Sequence, residues 1–203
     1  LLDITDILII TTPGDLTAFK NLLGDGSEWG ISLSYEIQPK PEGIAQALII
    51  GEKHIKNNPS ALMLADNIFY GSGFSEKLQN ATNSRNNTLF SYTVSDPERF
   101  GVCELDKDRR VISLEEKPKI PKSNLAVTGL YFYDDNVSEI AKSIKPSKRG
   151  ELEITDVNIE YMKQSNLYSE ILGRGFAWID AGTNQSYLDA NNFVYTIEKR
   201  QGL

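Results

Sequence analysis

The apolar residues of this chain fall into short runs separated by longer amphipathic stretches. Residues 7–10 read Ile-Leu-Ile-Ile, a continuous run that predicts a strand covered on both faces, ended by Thr11-Thr12-Pro13-Gly14. Asp15 can cap a helix running to residue 23, with Gly24-Asp25-Gly26 as its stop. Period-two alternation over 31–37 predicts a half-buried strand, and Pro39, Pro41 and Gly43 make a stiff loop into a helix over 44–49. The run 61–65 predicts a buried strand stopping on Asp66 and Asn67, with a helix over 74–81 behind it. Further strands are expected at 88–94, at 102–105 and 111–114 as hairpin arms, and at 125–133, 168–172 and 176–179. Helices are expected at 137–144, 153–164 and 184–200. Alternating strands and helices followed by a hairpin-rich middle predict an α/β fold with a mixed sheet. No internal repeat or linker interrupts the chain, so residues 1–203 read as one domain.

Composition narrows the function. The 203 residues are 40% hydrophobic and 24% charged, as in an ordinary soluble domain with a real core. A net charge of -7 argues against broad electrostatic binding of nucleic acid, so an anionic ligand would need a local cationic pocket or a metal ion. The single cysteine, Cys103, excludes an internal disulfide and suits a reducing, cytoplasmic setting. With one histidine (His54) beside it in the inventory, His/Cys zinc sites and Cys–His dyads have little support. No apolar run approaches the roughly 20 residues of a membrane span.

Several segments can carry chemistry. Asp66 ends one apolar run and Asp180 ends another, 176–179, before a glycine turn and a helix. If both strands finish on the same sheet edge, the two carboxylates can share one divalent cation; the alternative is two independent helix caps. In Glu115-Glu116-Lys117-Pro118 the proline stops the ladder, which can aim Glu116 at hydroxyl groups and Lys117 at a phosphate, or leave a solvated strand end. Lys148 and Arg149 stand in a loop before a helix, where arginine can grip a phosphate in bidentate fashion or simply face solvent. Gln38 offers a donor and an acceptor to a pyrimidine edge, and Gly43 lets backbone approach a ring, unless 38–43 is a plain turn.

Taken together the segments resemble the sugar-nucleotide pyrophosphorylases, the glucose-1-phosphate thymidylyltransferases in particular. The match runs in order through Leu23-Gly24-Asp25-Gly26-Ser27, Gln38-Pro39, Ala45-Gln46-Ala47 and Asp66-Asn67-Ile68-Phe69-Tyr70-Gly71. It continues through Asp96-Pro97-Glu98-Arg99-Phe100-Gly101-Val102, Ser113-Leu114-Glu115-Glu116-Lys117-Pro118, Ala126-Val127-Thr128-Gly129, Arg149-Gly150-Glu151-Leu152-Glu153-Ile154-Thr155-Asp156 and Gly173-Arg174-Gly175 leading to Asp180.

The resemblance implies a nucleotide-diphospho-sugar transferase fold, Rossmann-like α/β with a mixed, mostly parallel sheet flanked by helices and incomplete at both ends. It implies conversion of dTTP and α-D-glucose 1-phosphate to dTDP-glucose and pyrophosphate with Mg²⁺, the first step toward dTDP-L-rhamnose, and a homotetrameric assembly. By position, Asp66 and Asp180 resemble the metal ligands. Gln38 and Gly43 resemble the thymine readers, and Gly101, Glu116 and Val127 the glucose contacts. Lys117 and Arg149 resemble the sugar-phosphate grip, and Asn67 joins the substrate-binding set. The family's N-terminal glycine-rich loop, with its arginine and later lysine, has no match here, nor do its C-terminal helices. The chain thus reads as part of a longer enzyme, and the isolated chain is expected to release no pyrophosphate above background. A uridylyltransferase of the same fold and a non-catalytic sugar-nucleotide-binding module are the alternatives.

Overall fold

The structure, a computed structural model, describes residues 4–56, 58–84 and 86–202; the ends of the 1–203 span lie outside the described residues. The elements, in chain order, begin with β1 (Asp6–Thr11), α1 (Leu16–Leu23), β2 (Ser32–Ile37), α2 (Gln46–Ile50), α3 (Glu52–Ile55), β3 (Ser60–Met63), β4 (Asn67–Gly71) and α4 (Phe74–Asn83). Then come β5 (Asn87–Thr93), the hairpin β6 (Gly101–Leu105) and β7 (Val111–Glu116), β8 (Leu125–Tyr133), α5 (Val137–Ser143), α6 (Ile154–Lys163), β9 (Leu167–Leu172), β10 (Phe176–Asp180) and α7 (Asn184–Gln201).

The expected mixed α/β architecture with helices around a sheet is present. Its expected mostly parallel character is not. Among the described residues only β1–β2 and β5–β9 run parallel, whereas β10–β4, β3–β8, β5–β8, β6–β7 and β6–β8 are antiparallel. Of these antiparallel pairs β6–β7 is a hairpin joined by a short turn, whereas β10–β4, β3–β8 and β5–β8 pair strands remote in sequence.

The long strand β8 organises the main sheet, whose order is β7-β6-β8-β5-β9. β5 lines one edge of β8 over residues 125–132. The other edge is divided: β6 meets it at Ala126, and β3 meets it from Leu130 to Tyr133. Alternate side chains of β8 enter different cores, as period two requires. Tyr131 and Tyr133 pack with Val137, Ile154, Val157, Tyr161 and Leu167, whereas Leu130 and Phe132 pack with Ala81, Phe90 and Leu172. The first core contains polar groups that are satisfied: the Tyr133 hydroxyl donates to Asn158 Oδ1 at 2.8 Å and the Tyr161 hydroxyl to Asp134 Oδ1 at 2.6 Å. Cys103 is fully buried, and burial pushes its thiol up to about 12, so it acts as a small apolar residue.

Two elements depart from the sequence pattern. Residues 67–71, given no element of their own in the sequence pattern, form β4, which pairs with β10 from Phe176↔Gly71 to Asp180↔Asn67. Asp15 precedes α1 without a side-chain cap; its carboxylate accepts from the Thr12 hydroxyl at 2.6 Å instead. The last helix begins as anticipated, with a reciprocal capping box between Thr183 and Ser186. Among the described residues no helix is long and apolar enough to cross a membrane.

Candidate active site

The two acids singled out in the sequence lie near one another. Asp66 occupies the turn between β3 and β4, and Asp180 is the last residue of β10. Because β4 and β10 are antiparallel, the start of one lies beside the end of the other, with Asp180 opposite Asn67. A backbone bond from the Ala181 N–H to the Asp66 carbonyl, 2.8 Å, locks the two turns together.

Gly182 shows how near the carboxylates are. A Cβ at this residue would lie 3.2 Å from Asp180 Oδ1 and 3.4 Å from Asp66 Oδ2, so both oxygens border one small space. Neither acid is needed as a helix cap: α4 follows Gly73, and α7 is capped by Thr183. Among the described residues no three His, Cys, Asp or Glu side chains converge. Two carboxylates are what Mg²⁺ ordinarily takes from a protein, the rest of its shell being water and substrate phosphate, so the donor set fits that ion.

A second cluster forms around Gly101. A Cβ there would meet Glu116 Oε2 at 3.3 Å, Thr155 Oγ1 at 3.4 Å and Val127 Cβ at 3.8 Å. The three residues expected together are therefore neighbours, placed by the β6–β7 pairing Gly101↔Glu116 and by β8. Thr155, at the start of α6, donates to Glu116 Oε2 at 2.6 Å and fixes that carboxylate. Lys117 follows with a left-handed backbone, φ 44°, and its Nζ lies 3.9 Å from Glu116 Oε1. Arg149 is half exposed, bonded to Glu151 and 3.6 Å from Glu153 Oε1; its bond to Glu151 leads the causes that raise its pKa. Phe100, next to Gly101, touches Trp178 at 5.1 Å between ring centroids, which connects this cluster to the acid pair.

The loop 38–43 is also organised. Gln38 Nε2 donates to the Gly43 carbonyl at 3.2 Å and to Gln46 Oε1 at 2.6 Å, so both its hydrogens are engaged and Oε1 is the atom left for a base edge. Gly43 has φ 106°, and a Cβ there would overlap the Leu152 carbonyl oxygen at 2.3 Å. The close approach that glycine permits here is thus to the backbone just beyond Arg149.

Sequence reasoning did not single out Trp178, Gly129, Gly182 or Thr155. Asn67 hydrogen-bonds to both Gly129 and Trp178, Gly182 borders the acids, and Thr155 orients Glu116. Each acts through a cross-strand or cross-element neighbour, so only the register shows it.

A family model described as nucleotidyl transferase matches residues 1–197. The chain is 54% identical to the glucose-1-phosphate thymidylyltransferase of Neisseria meningitidis serogroup A, covering 98% of this chain and 70% of the relative. It is likewise 54% identical to that of Mycolicibacterium smegmatis, covering 98% and 69%. A Bacillus anthracis structure assigned as a glucose-1-phosphate thymidylyltransferase, with bound sucrose, superposes with a TM-score of 0.84 at 42% identity, over 94% of this chain and 76% of that one. A UDP-glucose pyrophosphorylase, 23% identical, shares the fold with a TM-score of 0.80. The chain belongs to the nucleotidyl transferase family, and within it stands with the glucose-1-phosphate thymidylyltransferases.

Proposed function

We propose that this protein transfers a thymidylyl group from dTTP to α-D-glucose 1-phosphate, giving dTDP-glucose and pyrophosphate, the entry to dTDP-L-rhamnose. The observation that carries the reading is the convergence of Asp66 and Asp180 on one space beside Gly182. A sugar-phosphate oxygen forms a bond to the α-phosphorus of the nucleotide as the bond from that phosphorus to the pyrophosphate oxygen breaks. No covalent nucleophile is required of the protein; it must align two anions and offset their repulsion. Mg²⁺ held by Asp66 and Asp180 would supply charge neutralisation and polarise the α-phosphate. Lys117 and Arg149 would grip the sugar phosphate, with Arg149 exchanging a carboxylate partner for it. Glu116, held by Thr155, would accept from glucose hydroxyls beside Gly101 and the backbone of Val127. Gln38 Oε1 would accept from the N3–H of thymine, with Gly43 backbone beside it. Uracil presents that same hydrogen, so the base is assigned by assay.

The test uses protein expressed from its complete natural reading frame, supplied with glucose 1-phosphate, Mg²⁺ and each nucleoside triphosphate in turn. The expected result is dTDP-glucose and pyrophosphate from dTTP, slower reaction with UTP, and no product after chelation with EDTA. Product that persists in EDTA would overturn the metal assignment, and a preference for UTP would overturn the base.

A further inference from the structure

Asn67 lies between the two carboxylates in the fold, and its side chain is committed to the protein. The residue is only 6% exposed. Its Nδ2 donates to Asp66 Oδ1 at 2.8 Å. Its Oδ1 accepts twice, from the Gly129 backbone N–H at 2.9 Å and from the Trp178 indole N–H at 2.7 Å. Two donors on one side and a carboxylate on the other leave a single sensible amide orientation, because the flipped amide would set hydrogens against hydrogens. The fold makes room for this arrangement. A Cβ at Gly129 would stand 2.7 Å from Asn67 Oδ1, so β8 must be bare there.

We propose that Asn67 is a positioning residue for the cation site and not a ligand of the sugar. It rests on the reading of Asp66 and Asp180 as a cation site. A carboxylate on a turn can rotate away from a shared cation. The Asn67 amide holds Oδ1 of Asp66, and Oδ2 then points to the space beside Gly182. Through Trp178 the same amide is tied to β10 two residues before Asp180. Trp178 is itself packed against Phe100 and Tyr92. One side chain therefore sets both carboxylates relative to each other and to β8. Outer-shell partners of this kind are worth about 10- to 100-fold in metal affinity.

The test is Mn²⁺ binding to the purified protein, followed by electron paramagnetic resonance, together with steady-state kinetics. Asn67→Ala is expected to weaken Mn²⁺ binding at least about 10-fold, to lower kcat at subsaturating metal, and to leave the KM for glucose 1-phosphate near that of the parent. Since that variant strands two N–H groups, Trp178→Phe serves as a second one, keeping an aromatic ring beside Phe100 and Tyr92 while removing the indole donor together with part of the ring. It is expected to weaken Mn²⁺ in the same direction by a smaller factor. Unchanged Mn²⁺ affinity in Trp178→Phe and in folded Asn67→Ala would overturn the proposal while leaving the cation site intact. So would a large rise in the sugar-phosphate KM with unchanged metal affinity. A parent protein that binds no Mn²⁺ would overturn the reading of Asp66 and Asp180 and this proposal with it.

Discussion

Single atoms decide what the acid pair can do. Replacing Asp66 by Asn keeps the shape of the turn and the backbone bond to Ala181 but removes one of two charges beside Gly182. Turnover is expected to fall by about 10²-fold or more, with little change in thermal stability, when activity and melting are measured side by side. Gly182→Ala tests the same space from the other direction. No left-handed φ is involved at this residue, so the added methyl acts by crowding Asp66 Oδ2 and Asp180 Oδ1. Metal affinity and turnover should drop while the melting temperature stays near that of the parent; unchanged metal affinity would show the space to be larger than described. At this scale the sequence was informative where a residue's chemistry advertises itself. An acid at the end of an apolar run is conspicuous. A glycine that leaves room for an amide, or an indole nitrogen that completes one, depends on which strand lies opposite, and Gly129 and Trp178 carry no such mark.

The elements explain the rest of that difference. The apolar runs predicted nearly every strand, because period two and continuous runs report burial directly. They did not predict β4, since Asn67 to Gly71 opens on a polar residue and looks like the exit of the strand before it. Pairing with β10 is what makes it a strand, and that partner is remote in sequence. Loops are joined in a similar way. Gly43, after β2, sits against the Leu152 backbone, and Leu152 N–H donates to the Glu42 carbonyl at 2.7 Å. Gly43→Ala meets both a left-handed φ and a direct overlap, and should cost more than about 2 kcal/mol, lowering the melting temperature by roughly 4–8 °C or more. A variant that melts with the parent would mean the two loops part easily. The β6–β7 hairpin offers a pH test. The Arg110 backbone N–H, then its side chain and the Asp108 N–H, hold the Asp106 carboxyl below its usual range. A carboxyl lowered on folding supports the turn above its ordinary pKa, and the support is lost as pH falls through the lowered value. Protection of the Asp108 and Arg110 amides should therefore decline in acid, and Asp106→Asn should abolish that pH dependence; an identical decline in the variant would assign it elsewhere.

Across the whole molecule, burial is uneven. The main sheet is packed on both faces by the two cores, whereas α1 has no buried residue and β1 is half-buried along its apolar run. Native-state hydrogen exchange should be slowest in β5, β8 and β9 and markedly faster in β1, β2 and α1, because local opening follows buried contact. Equal protection across both regions would contradict that picture. The continuous run of residues 7–10 led the sequence to expect a fully covered strand, and among the described residues β1 pairs only with β2. The pairing of β4 with β10 has a kinetic consequence as well. Its two strands come from opposite halves of the chain, and closing so long a loop is entropically slow compared with forming a hairpin such as β6–β7. A refolding chain should regain most of its secondary structure before it regains the ability to bind a divalent ion, which makes metal capture a clock for the last stage of folding.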